Sequence, residues 1–247
     1  MYNKNSIMLI IFSHWCEIKV RCFYLFVSFS FTLVVSYLYS EVIMYVCTLP
    51  FTERFEDKKF IFTSLSEGFS SCLLISINFS LIFTLVLTIS MVFSFLIPGL
   101  YKKEFYVLKL GLKLSSANLL GAFLFVHFLI LPSIIKFFGY FEFSRLFELS
   151  LEAKIFDYLD LISKCFFWVS LSFQLPLLIF MFLYLNVINV NSIIKKRKEF
   201  IFIFCILGAL FSPPDILTQI LIALFFWVLI EMTVLSFILA DEYVLLQ

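Results

Sequence analysis

Four intervals of this chain run without a charged side chain for 19, 34, 22 and 30 residues, at positions 22–40, 68–101, 114–135 and 165–194. Each reaches the ~18–20 helical residues that cross a hydrocarbon core of about 30 Å. Two shorter intervals, 200–214 and 216–230, hold 15 residues each on either side of Asp215. Pro213-Pro214-Asp215 is a strong helix breaker, and apolar residues resume after Glu231 as far as Ala240. These two intervals therefore read as two short spans joined by a tight turn. Composition agrees: only 14% of residues are charged, against roughly 25% in a soluble domain, and mean hydropathy is +1.08. The apolar runs are continuous rather than alternating, which selects helices over a β-barrel.

The expected fold is an all-α membrane protein, one polytopic domain over residues 1–247 with six transmembrane helices. Their approximate positions are 22–42, 69–97, 114–135, 163–187, 200–213 and 216–238. An even number of spans puts both termini on one side, and charge says which. The N-terminus and the segments 102–113 and 195–199 carry 11 of the 18 Lys and Arg, with three acids among them. The opposite loops hold Glu53, Glu56, Asp57, Glu67, Glu142, Glu148, Glu152, Asp157 and Asp160. Short basic loops stay on the cytoplasmic or matrix side, so the topology is N-in, C-in.

Length mismatch shapes the bundle. Fifteen helical residues reach about 22 Å, short of the core. Bilayer thinning, packing on longer neighbours, or extension of a helix past a charged residue must make up the difference. The 34-residue interval would reach about 50 Å as one helix, so part of it projects, tilts or breaks, and Pro98-Gly99 ends it on the inner side. An uneven, concave bundle with short fifth and sixth helices is expected. There is no internal repeat of the kind that marks inverted-repeat transporters.

Several function classes drop out. No nucleophile–base set, glycine-rich phosphate loop or metal-ligand spacing is present, so neither an enzyme nor a cofactor or metal site is expected. The six cysteines are scattered without a C-x-x-C pair and read as small hydrophobes. His14 and His127 are too far apart to ligate haems between facing helices. His127, in the third span, reads as a packing or satisfied histidine. A net charge of +1 offers nothing to nucleic acid. The first apolar run is too long for a signal-peptide core and lacks an A-x-A site, so it is expected to remain as a membrane helix. Thirty-six Phe beside six Ala suggest an AT-rich coding genome, as in organelles or some reduced bacteria.

Seven segments, in order, resemble the TatC family. His14-Trp15-Cys16-Glu17-Ile18-Lys19-Val20-Arg21 looks like its H-L-x-E-L-R-x-R entry to the first helix, and Pro50 follows that helix. Ser66-Glu67-Gly68-Phe69 is similar to P-E-x-F. Phe95-Leu96-Ile97-Pro98-Gly99-Leu100-Tyr101-Lys102-Lys103-Glu104 is close to F-I-x-P-G-L-Y-x-x-E, the most specific stretch. Pro132 fits the end of helix three, Phe173-Gln174-Leu175-Pro176 fits F-E/Q-x-P, and Ser212-Pro213-Pro214-Asp215-Ile216-Leu217-Thr218-Gln219 fits S-P-x-D-x-x-x-Q, with Glu231 at a later glutamate. The match covers roughly residues 13 to 232. Lys19 replaces a usual arginine, Val86 and Met91 stand near a usual proline and glutamine, Phe225 replaces a proline, and Gln174 a commonly acidic residue. These departures suggest a divergent, organelle-encoded member.

The resemblance implies a receptor for twin-arginine signal peptides. It recruits single-span TatA/TatB-type partners, forms homo-oligomers, and lets the proton-motive force carry folded cargo across. It assigns Glu17 and Glu104 to the two arginines, with Lys19, Arg21, Phe95, Pro98, Glu67, Gln174, Pro176, Asp215, Gln219 and Glu231 as supporting or partner contacts. Chemistry permits the assignment: a guanidinium pairs with a carboxylate in a two-bond fork that lysine cannot reproduce. Glu17, just before span one, and Glu104, just after span two, share the inner interface. Beside Lys19, Arg21, Lys102 and Lys103 they could equally be neutralised surface pairs worth ~0–1 kcal/mol.

Glu231 interrupts an apolar span, where an ionisable group is costly and faces a partner or a cavity. Gln174, next to the Pro176 kink, is suited either to hydrogen bonding between helices or to the concave surface. Asp215 and Gln219 are expected to cap the sixth helix, and Glu67 the second, by accepting backbone N–H bonds. Lys195-Lys196-Arg197-Lys198 reads as a topology signal beside anionic lipid. Two other functions remain: a solute or proton transporter with Glu231 and His127 as relay groups, and a structural subunit of a respiratory complex. The mitochondrial inner membrane is the expected location, with a bacterial plasma membrane as the alternative.

Overall fold

A computed structural model describes residues 4–55, 58–96, 102–140, 152–184, 187–211 and 216–245. Among these, nine α-helices follow one another: α1 (Lys4–Leu38), α2 (Ser40–Arg54), α3 (Glu67–Leu96), α4 (Lys102–Phe125), α5 (Leu131–Gly139), α6 (Ile155–Tyr184), α7 (Val190–Lys195), α8 (Arg197–Phe211) and α9 (Ile216–Leu245). A π-helical turn, Val126–Ile130, joins α4 to α5, so the third expected span is continuous from Lys102 to Gly139. The described β pairing is one isolated bridge, Ile61 with Lys154, which ties the α2–α3 loop to the approach to α6.

Among the described residues, five helical segments are long and apolar enough to cross a membrane: His14–Leu38, Glu67–Val92, Lys113–Gly139, Ile155–Leu183 and Thr218–Ile238. The fifth expected span, α8, is 15 residues, about 22 Å, as its interval predicts. The sixth is not short. α9 is 30 residues long and passes straight through Glu231, which is helix extension past a charged residue. The first helix also departs from its charge-free interval. It begins well before Cys22, carrying Glu17, Lys19 and Arg21 as helical residues, and it breaks at Tyr39. Charge-free intervals mark the apolar stretch of a helix, whereas hydrogen-bonded backbone continues into the interface.

α6 is the hub, touching α3, α4 and α9, while α1 lies at the edge on α3. Phenylalanine fills the centre. Phe79, Phe123 and Phe166 form one group, with Phe123 and Phe166 stacked at 4.8 Å between centroids. Phe125, Phe173, Phe225 and Phe226 form a second that joins α4, α6 and α9. Phe225 stacks on Phe125 at 4.0 Å, so the residue found in place of the expected proline serves as packing.

Three of the described helices contain proline. Pro132 stands in the first turn of α5 and the helix runs on past it to Gly139, whereas Pro50 and Pro176 lie inside α2 and α6, and these two receive the same kind of support. A proline removes the N–H that would bond the carbonyl four residues earlier and loosens the turn. In α2, which contains Pro50, the Tyr158 hydroxyl donates to the Cys47 carbonyl at 3.1 Å. In α6, which contains Pro176, the Asn118 amide donates to the Phe173 carbonyl at 3.2 Å. In each case the accepting carbonyl lies three residues before the proline and the donor comes from another helix.

Candidate functional site

Glu17 and Arg21 stand one turn apart on α1, so their side chains meet on one face. The Arg21 Nη2 donates to Glu17 Oε1, and its Nη1 donates to the Met91 carbonyl of α3 at 3.1 Å. The guanidinium carbon lies 5.7 Å from the centroid of Phe95, whose other contact is an edge-on His14 ring at 6.0 Å. Glu17 thus sits in a partly buried seat built by α1 and the end of α3, with a guanidinium in place. Lys19 is exposed and leans over Trp15 at 5.7 Å, so it is not part of that seat. Glu104 is in the first turn of α4, and its side chain lies outside the described residues, as do Pro98 and Asp215 altogether.

The remaining predicted residues that are described make contacts of their own. Gln174 is 1% exposed; its Oε1 accepts from the Ser115 hydroxyl at 2.9 Å and its Nε2 donates to the Ser115 carbonyl at 3.1 Å. It joins α6 to α4 and is not a surface contact, because both ends of the amide are engaged in the core. Pro176, by contrast, lines a cavity of about 480 Å³ between α4, α6 and α9, with Asn118, Phe173, Phe180, Thr233 and Ser236. Gln219 does not spend its amide on capping α9: Nε2 donates across to the Cys205 carbonyl of α8 at 3.1 Å. Beside it, a Cβ on Gly208 would come within 2.8 Å of the Gln219 carbonyl oxygen, so only glycine permits that approach.

Glu67 is the first residue of α3, and its carboxylate accepts from the Thr63 backbone N–H at 2.6 Å and from the Thr63 hydroxyl. It closes the preceding turn instead of capping its own helix. Glu231 has a named partner: Arg197 Nε and Nη2 reach its two oxygens at 2.7 and 2.8 Å. His127 sits in the π turn with Nδ1 buried and without a hydrogen bond, a packing histidine rather than a satisfied one. Cys47 and Cys165 are core residues, and burial pushes the Cys47 thiol up to about 12, which keeps it an inert thiol.

Sequence reasoning missed Ser115, Asn118, Tyr158 and the Arg197 side of the ion pair. Asn118 carried a signal, as a carboxamide inside the 114–135 interval. Arg197 carried none, because four adjacent cations look alike in sequence.

Comparison with known proteins fits this arrangement. Residues 13–224 match the family model for the Sec-independent protein translocase protein (TatC). The tatC-like protein ymf16 of Reclinomonas americana is 34% identical over 240 residues, covering 94% of this chain and 89% of its own. The TatC protein of Rickettsia prowazekii is 27% identical, with 90% of each chain covered. A crystal structure of the twin arginine translocase receptor TatC superposes with a TM-score of 0.77 at 22% identity, covering 92% of this chain and 99% of the other. The fold is the same despite the low identity. From the ordered motifs, the helical fold and these matches together, the chain belongs to the TatC family of Sec-independent protein translocase subunits.

Proposed function

We propose that this subunit is the receptor for twin-arginine signal peptides, with Glu17 and Glu104 taking the two arginines on the basic face. The observation that carries the proposal is the seat at Glu17. It already accommodates a guanidinium, combining a carboxylate, a backbone carbonyl and the Phe95 ring within one site. An ammonium would lose the geometry of that fork. Five residues link the end of α3, beside Phe95, to the start of α4, so Glu104 follows this seat in the chain by a short connection.

Single-span TatA/TatB-type subunits are the expected partners, together with further copies of this chain, and the proton-motive force drives transport of folded cargo. The mitochondrial inner membrane is the proposed location, in keeping with the Phe-rich composition and the ymf16 relatives. A relay through Glu231 and His127 has less support, since Glu231 is held by Arg197. Reconstitution in nanodiscs tests the proposal. An Arg-Arg signal peptide should bind more tightly than its Lys-Lys twin, and Glu17→Ala and Glu104→Ala should each remove the preference. Equal binding of both peptides by all three proteins would refute it.

A further inference from the structure

We propose that Arg21 is an internal stand-in for the signal peptide's arginine, occupying Glu17 until the peptide displaces it. This rests on the receptor function proposed above and adds a threshold to the same site. Arg21 offers the Glu17 seat the same chemical group that the ligand would bring. One guanidinium nitrogen is on the carboxylate, a second is on the Met91 carbonyl, and the guanidinium carbon lies over the Phe95 ring. Glutamate four residues N-terminal to a cation is the favourable order on a helix. No other described cation competes for the position: Lys19 lies over Trp15.

Three consequences follow from exchange at one carboxylate. The seat never stands as a bare charge at a partly dry interface, which would be costly. An arriving arginine replaces Arg21 bond for bond, so little is lost in the swap. A cation unable to match the fork must still displace Arg21 and recovers less. Competition of this kind weakens every ligand by one common factor. Arg21 therefore sets how tightly anything binds, while the shape of the seat sets the preference for arginine over lysine.

The test is peptide binding in nanodiscs, with Arg-Arg and Lys-Lys peptides titrated against wild type, Arg21→Gln, Glu17→Ala and the double variant. Arg21→Gln should bind both peptides tighter by roughly three- to tenfold, the range expected from losing one partly buried charged pair. The ratio between the peptides should stay as it is, and in the Glu17→Ala background the gain should vanish. Arg21→Gln/Cys22→Arg separates occupancy from simple repulsion. It keeps a cation nearby but turns it about 100° around the helix, away from Glu17, and the gain should survive. Should Arg21→Gln fail to fold, Arg21→Lys serves, with a smaller gain expected. Arg-Arg preference that depends on Glu17 but is unchanged or weakened by Arg21→Gln overturns the stand-in and leaves the receptor intact. A gain abolished by Cys22→Arg also overturns it. Absence of any Glu17-dependent Arg-Arg preference in wild type overturns both.

Discussion

Arg197 at the start of α8 and Glu231 in the middle of α9 form a two-bond fork, at 2.7 and 2.8 Å. The pair resolves the cost of an acid inside an apolar helix, since the guanidinium reaches it from the basic segment 195–198. Both side chains keep some contact with solvent, 47% and 21% exposed, so solvent screening moderates the pair. Arg197→Met or Glu231→Leu should lower stability by about 1 kcal/mol. The swap Arg197→Glu/Glu231→Arg should recover part of it. Thermal unfolding of the purified protein measures all three.

Gly208 is a point of close approach between α8 and α9. Alanine there would drive its Cβ into the Gln219 carbonyl oxygen at 2.8 Å. Since that neighbour is backbone, relief requires the helices to separate, at about 1–3 kcal/mol. Gly208→Ala should lower the melting temperature, and Gly208→Val should lower it further. If alanine is silent in thermal unfolding, the close approach is not maintained.

Gln174 is expected to matter for stability and little for ligand preference. Gln174→Leu leaves the Ser115 hydroxyl and carbonyl without their present partners in the core, at about 1–3 kcal/mol. Gln174→Glu places an acid where the family commonly has one, but against a site that here uses an amide donor. It should unfold at a lower temperature than wild type. The ratio of Arg-Arg to Lys-Lys peptide binding should be unchanged in either variant that folds.

The carbonyl ties at the two prolines give a matched pair of experiments. Tyr158→Phe removes the donor to Cys47, and Asn118→Leu the donor to Phe173. Each should cost about 0.5–1.5 kcal/mol. Combining them should be nearly additive, because they support different helices. Strong non-additivity in thermal unfolding would mean that the two proline sites are coupled through α6.

Much of the frame was legible in the residues. Uncharged intervals located the helices, because the bilayer penalises charge wherever a span runs. Helix ends were less legible: α1 starts far before Cys22 and α9 passes Glu231, since interfacial backbone stays helical without any apolar requirement. Glu17 was legible as a candidate from its motif, but its contacts with Arg21, Met91 and Phe95 were not, because they depend on how α1 lies on α3. Gln174, Gln219 and Glu67 were found as polar residues in meaningful places. Their partners, Ser115, Cys205 and Thr63, emerge only from packing.

The fastening of α8 to α9 has a mechanical consequence. One tie, Gln219 to Cys205 beside Gly208, lies near the turn, and the other, Arg197 to Glu231, lies at the far end of α8. Ties at both ends of this hairpin resist splaying and sliding, which favours its two helices tilting together. The α9 arm meets α4 and α6 through the rings of Phe125, Phe173, Phe225 and Phe226, so a joint tilt of the hairpin would be felt first at that aromatic contact.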